Sequence, residues 1–279
     1  MTTKGTAVQA HDRQSLTAEG GLTEGMGNGT TAKDAPGGSS SSSAATNQDA
    51  SNGLCITLQL DAGRSLSELT AAVNDACNQA EERADRSVVL LRLPGPSAET
   101  RSWPGKVDIQ QVNRWERAVR RLERLPTLSI AVAAGACGGP ALDLLLVSDY
   151  RVGASDLRLL APVNDGHFWP GMAVYRISQQ LGAARARQIV LWGDEIDVVR
   201  AQELGLIDQI TDDADSAAHT ATVLMGRISD RELAIRRQLL LEAQALEFDD
   251  ALGAHLAACD RELRRLASVE SDRTVGDVK

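Results

Sequence analysis

Two short apolar runs, each followed by turn residues, constrain this chain more than any other feature of its sequence. Ser87-Val-Val-Leu-Leu-Arg-Leu (87–93) and Leu128-Ser-Ile-Ala-Val-Ala (128–133) are β-branched and leucine-rich, with little polar alternation. Such runs form strands buried on both faces, as in parallel sheets. Parallel neighbours need a crossover, and the segment between them supplies one: Asp108 can cap a helix running to about Leu125. The second run leads through Gly135-Ala-Cys-Gly-Gly-Pro (135–140) into an apolar helix, Ala141 to Val147. Upstream, Cys55 to Leu60 alternates like a half-buried strand, and Asp61-Ala-Gly turns the chain. Ser65 with Glu68 makes a capping-box pattern, followed by Leu66, Leu69, Val73, Ala76, Cys77 and Ala80 at helical spacing. This predicts a helix over 66–84. Pro94 to Gly105 reads as a loop. Strand, helix, strand, helix, strand, glycine turn and helix describe a right-handed βαβ array of the α/β class.

Beyond this array the sequence predicts a short strand pair near 150–160, then Pro170-Gly and helices around 172–192 and 197–204. After Leu206-Ile-Asp-Gln-Ile the rest is expected to be helical. Leu252, Leu256, Cys259, Leu263 and Leu266 form one apolar stripe there, which must pack on its own domain or on a neighbouring subunit. From Met1 to about Gly53, Gly, Ser, Thr, Ala and Asn dominate, with a serine run from Ser39 to Ser43, so a disordered leader is expected. A dispensable leader and a tether or docking segment both fit it. The resulting organisation is a leader over 1–53, a core over 54–212 and a helical region over 213–279.

Composition narrows the function. A formal charge of −9 over 279 residues argues against broad affinity for nucleic acid or anionic membrane, while leaving room for a local phosphate-binding pocket. No stretch reaches the ~18 apolar residues of a membrane helix, and no apolar signal run opens the chain. Cys55, Cys77, Cys137 and Cys259 lack metal-type spacing and sit among apolar neighbours, so each is expected to pack as a reduced thiol in a cytoplasmic protein. His11, His167, His219 and His255 are far apart and form no ligand pair, so no metal site is expected. GxGxxG, Walker and GxSxG patterns are absent. Carboxylates and polarised carbonyls remain.

The order of segments resembles the crotonase (enoyl-CoA hydratase/isomerase) superfamily. The resemblance runs from about Ile56 to Ile210, carried by 128–150, Ala161-Pro-Val, Pro170-Gly, Leu181-Gly-Ala-Ala-Arg-Ala, Gly193-Asp-Glu-Ile and 201–208. It implies a ClpP/crotonase-like ββα-superhelix core with a C-terminal helical trimerisation region, and a homo-oligomer, trimer or hexamer. It also implies an acyl-CoA thioester as substrate and no cofactor. A closer resemblance lies in Val112 to Pro126, the Gly-Gly-Pro-Ala-Leu turn, Pro162-Val-Asn and Trp169 to Arg176. It points to the DpgB-type subgroup of 3,5-dihydroxyphenylacetyl-CoA biosynthesis, the source of dihydroxyphenylglycine for glycopeptide antibiotics. The implied role is dehydration and aromatisation of a CoA-bound polyketide beside a type III polyketide synthase and a sister crotonase-like hydratase. A catalytically silent partner of either is the alternative.

In this family two backbone N–H groups grip the thioester oxygen while glutamates move protons. The resemblance places the first donor at Lys106 or Val107 and the second at Gly139 or Pro140. Proline would remove that donor. By the same resemblance Asp143, a shorter acid, stands at the first glutamate position and Val163 at the second, a departure from the two-glutamate pattern of ordinary hydration. Asp143 fits either proton transfer or a hydrogen-bonded core carboxylate. Asp165 and His167, on the loop before Trp169, could supply protons or belong to a solvated loop. Trp103, Trp115 and Trp169 fit an acyl pocket or the core. The Arg117, Arg120, Arg121 and Arg124 set fits a solvated face or a phosphate or partner contact.

Overall fold

The computed structural model describes residues 55–61, 63–83, 87–95, 103–104, 106–161, 163–164, 166–225 and 228–276. The expected leader, most of the loop after Pro94, and Gly105, Pro162 and Asp165 lie outside the described residues. The chain proceeds through β1 (Cys55–Gln59), α1 (Leu66–Glu82), β2 (Val88–Leu93), α2 (Ile109–Glu123), β3 (Leu128–Ala133), β4 (Ala136–Cys137) and α3 (Pro140–Val147). It continues with β5 (Tyr150–Gly153), β6 (Arg158–Leu159), β7 (Val163–Asn164), β8 (His167–Phe168), α4 (Met172–Leu181), α5 (Ala183–Val190), β9 (Ile196–Asp197) and α6 (Val198–Glu203). β10 (Gln209–Ile210) and the helices α7 (Ala214–Met225), α8 (Asp230–Ala243) and α9 (Phe248–Gly276) complete it.

The apolar runs form strands because both of their faces are covered. β1, β2, β3, β5 and β10 lie in that order in a parallel sheet. Val89, Leu91 and Leu93 face a core shared with α1, α2 and α3, whereas Val88 and Leu90 face Ala218 and Ala221 of α7. The capping box at Ser65 and Glu68 is present, and Asp108 caps α2 through the Gln111 N–H. Arg121 ties α2 to α1 through Glu81 and Asn78, Arg120 pairs with Glu123, and Arg117 and Arg124 are exposed. Arg237 of α8 reaches Asp149, whose carboxylate also accepts the Ser129 N–H and hydroxyl at the start of β3.

Three local expectations need correction. The strands near 150–160 do not pair with each other: β5 enters the parallel sheet, whereas β6 pairs with β4 and β9. Both segments are too short to reveal a partner, which only the surrounding strands select. The helix expected over 172–192 is broken at Gly182, whose φ of 72° ends α4 and begins α5. Cys77 and Cys137 are buried, but Cys55 and Cys259 are exposed. Cys55 opens an edge strand and Cys259 lies on α9, whose apolar stripe is itself exposed in the single chain. Among the described residues no helix is long and apolar enough to cross a membrane.

Candidate active site

The strand-to-helix turn after β3 builds the site. Gly139 caps α3 with φ 54° and ψ −125°, a conformation that disfavours a side chain. A Cβ there would lie 2.9 Å from Cγ of Trp103, so the turn also depends on close approach of the indole. Gly139→Ala is therefore expected to cost about 1–3 kcal/mol and to displace Trp103. A thermal melt with tryptophan fluorescence checks this, and an unaltered melt and spectrum would contradict it. Pro140 occupies the first position of α3 and has no N–H to offer, so of this pair only Gly139 can donate. Contact between Trp103 and Gly139 brings the segment before α2 against the turn. Lys106 in that segment is exposed, and Val107 is half-buried against the core.

One turn into the helix, the Asp143 N–H donates to the Gly139 carbonyl at 3.0 Å, which fixes the carboxylate on the first turn. Asp143 is 4% exposed. Its Oδ2 accepts the Trp115 indole N–H at 2.9 Å, and its Oδ1 accepts Arg176 Nη1 at 3.3 Å. Arg176 also donates through Nη2 to Glu116 Oε2 at 3.0 Å. Glu116 Oε1 accepts the Met172 N–H at 3.3 Å, at the start of α4. Trp115 is fully buried and meets Trp103 edge-on, with ring centroids 6.1 Å apart. A closed ring of side chains thus joins α2, α3 and α4 around Asp143.

Burial pushes the Asp143 carboxyl up to about 7, helped by the Glu116 charge and opposed by Arg176 and the Trp115 hydrogen bond. The neighbouring Cys137 thiol is pushed up to about 12 by burial and by the Asp143 charge, so it stays neutral. Asp143 lines a narrow, mainly apolar cleft whose free volume is about 10 Å³, room for a single water, lined also by Trp103, Gly139, Leu142, Phe168 and Trp169. Trp169 folds over Gly171, where a Cβ would come within 2.5 Å of its Nε1. Val163 is 42% exposed in the β7–β8 hairpin and His167 is exposed beside it. Neither is among the residues lining the cleft. Of the expected site residues, the structure brings together Asp143, Gly139 and Trp169, with Pro140 beside them.

Glu116 and Arg176 were not among the residues singled out from the sequence. Glu116 is hidden in an arginine-rich helix that reads as solvated. Arg176 carried a signal: it sits between Ala173 and Ile177 at helical spacing, on the face that α4 buries. No cluster of metal-ligating side chains occurs among the described residues.

A parallel sheet, a tight glycine turn into a short apolar helix and a cleft holding that helix's carboxylate define a crotonase-type α/β fold. Known structures carry the same fold. An enoyl-CoA hydratase from Shewanella pealeana superposes with a TM-score of 0.62 at 19% identity, covering 78% of this chain and 85% of that one. One from Bacillus anthracis gives 0.62 at 18% identity, covering 81% and 94%. A Thermobifida fusca family structure solved in complex with CoA gives 0.59 at 20% identity, covering 78% and 92%. In sequence, residues 106–273 match the enoyl-CoA hydratase/isomerase family. An enoyl-CoA-hydratase of Amycolatopsis orientalis is 45% identical over 216 residues, 76% of this chain and 98% of that protein. The chain belongs to the enoyl-CoA hydratase/isomerase family.

Proposed function

We propose that this protein binds an acyl-CoA thioester and promotes dehydration and aromatisation of a CoA-bound polyketide toward 3,5-dihydroxyphenylacetyl-CoA, beside a type III polyketide synthase and a sister hydratase. The observation carrying this reading is the buried Asp143 carboxylate opening on a cleft walled by Trp103, Phe168 and Trp169. Aromatic walls of this kind stack on a flat unsaturated acyl group, which must widen the narrow cleft on entering, and a carboxyl near neutrality can take up and return a proton. In the dehydration step Asp143 takes the proton from the carbon beside the thioester carbonyl. Negative charge grows on the thioester oxygen, toward which the Gly139 N–H and a backbone N–H at Lys106 or Val107 would donate. The hydroxyl leaves the next carbon as water by taking back that proton from Asp143, which regenerates the carboxylate, and a carbon–carbon double bond remains. The exposed α9 stripe of Leu252, Leu256, Leu263 and Leu266 supports a homo-oligomer of this chain, trimer or hexamer.

A second reading is a catalytically silent partner that stimulates the synthase or the sister hydratase. It is favoured by Pro140, which removes one N–H from the turn, and by Val163, which cannot move a proton. HPLC-MS of the products made by the synthase from malonyl-CoA, with and without the wild-type protein, tests the role common to both readings. More aromatic product with the protein present is expected. An unaltered product distribution would overturn both readings.

A further inference from the structure

We propose that Arg176 and Glu116 are positioning residues that set the charge of Asp143 in opposite senses, Arg176 holding the carboxylate and Glu116 favouring its protonated form. The inference rests on the proton-transfer role proposed for Asp143 and identifies what regulates it. Its basis is a charge count in a buried ring. Side-chain exposures are 7% for Arg176, 5% for Asp143 and 18% for Glu116. One cation therefore lies between two carboxylates, 3.3 Å from Asp143 and 3.0 Å from Glu116. A single guanidinium cannot neutralise both, and the surplus charge is relieved most readily by a proton on the deeper acid. Glu116 is also held by the Met172 N–H, whereas Asp143 faces the cleft.

Among the described residues, no other charge competes for this role around Asp143. From α2 come Glu116 and the neutral Trp115 N–H, and from α4 comes Arg176. Cys137 on β4 is a neutral thiol. Arg92 of β2 is paired with Asp215, Arg120 is paired with Glu123, and Lys106 and His167 are exposed. The direction found for Asp143, upward by burial and Glu116 and downward by Arg176, agrees with this arrangement.

The full chain labelled with ¹³C-carboxyl aspartate tests it by NMR titration, with Asp143 identified as the resonance lost in Asp143→Asn. Glu116→Gln should lower the Asp143 midpoint and Arg176→Met should raise it, each by about one pH unit or more, with Arg176→Lys closer to wild type. Glu116→Gln and Arg176→Lys keep the test open if Arg176→Met fails to fold. The pH profile of product formation should move with the midpoints. Midpoints that move together, or do not move, would overturn the inference, because a scaffolding role has no reason to split them. Opposed midpoints without any Asp143-dependent product formation would uphold the charge assignment and overturn the catalytic reading alone.

Discussion

Arg176→Met is expected to destabilise the folded protein by about 3–5 kcal/mol, because it removes the cation from a buried cluster and leaves two carboxylates facing each other. The loss should be read as a lower urea midpoint at an unchanged slope. Repacking cannot relieve it, since the Arg176 side chain is only 7% exposed and is held at both ends by acceptors on different helices. Adding Glu116→Gln and Asp143→Asn should restore much of the stability. Both amides keep the shape and an acceptor for the Met172 and Trp115 N–H groups while removing the uncompensated charge. The deficit should widen as pH rises. The folded state holds the Asp143 proton up to about 7, above the ordinary 3.8, so it binds that proton more tightly than the unfolded chain does. The contribution of Asp143 to stability is therefore complete below the unfolded value and is lost as pH climbs toward about 7. Without Arg176 the loss continues to higher pH. A wild-type urea midpoint in Arg176→Met would sink this account of the ring.

Asp143→Asn is expected to reduce formation of the aromatic product by about 10²–10⁴-fold, the usual share of a positioned acid or base. The protein itself should stay folded. Asparagine retains an oxygen for the Trp115 N–H but cannot take a proton from carbon, so the loss should fall on kcat with KM little changed. Equal folded concentrations of wild type and variant, compared by HPLC-MS in the presence of the synthase, give the readout. Stimulation retained in full by the variant would establish the silent-partner reading in place of the catalytic one.

Asp143 illustrates how far the residues alone could be followed. Its spacing from the Gly-Gly turn marks it as a candidate but leaves open the choice between a proton-transfer group and a hydrogen-bonded core carboxylate. The structure shows a hydrogen bond to Trp115, an ion pair with Arg176 and a place on the wall of the cleft, an arrangement compatible with either role. The tryptophans divide in the same way, Trp115 entering the core while Trp103 and Trp169 line the cleft. Glu116 is not legible in the sequence, because a glutamate among arginines on an amphipathic helix has the signature of a solvated face.

The capped helices α1 and α2, the buried parallel strands and the glycine turn were determined by the sequence itself. Their signals are local: a capping box spans four residues, a buried strand is a continuous apolar run, and a turn needs glycine within one or two positions. Only the tertiary structure decided which short strands pair, that Gly182 divides α4 from α5, and which charges surround Asp143. Arg176 is 33 residues from Asp143 in the chain and 60 from Glu116. No local pattern encodes contacts at that range, because they exist only once α2, α3 and α4 have packed beside the sheet and excluded water from the three side chains.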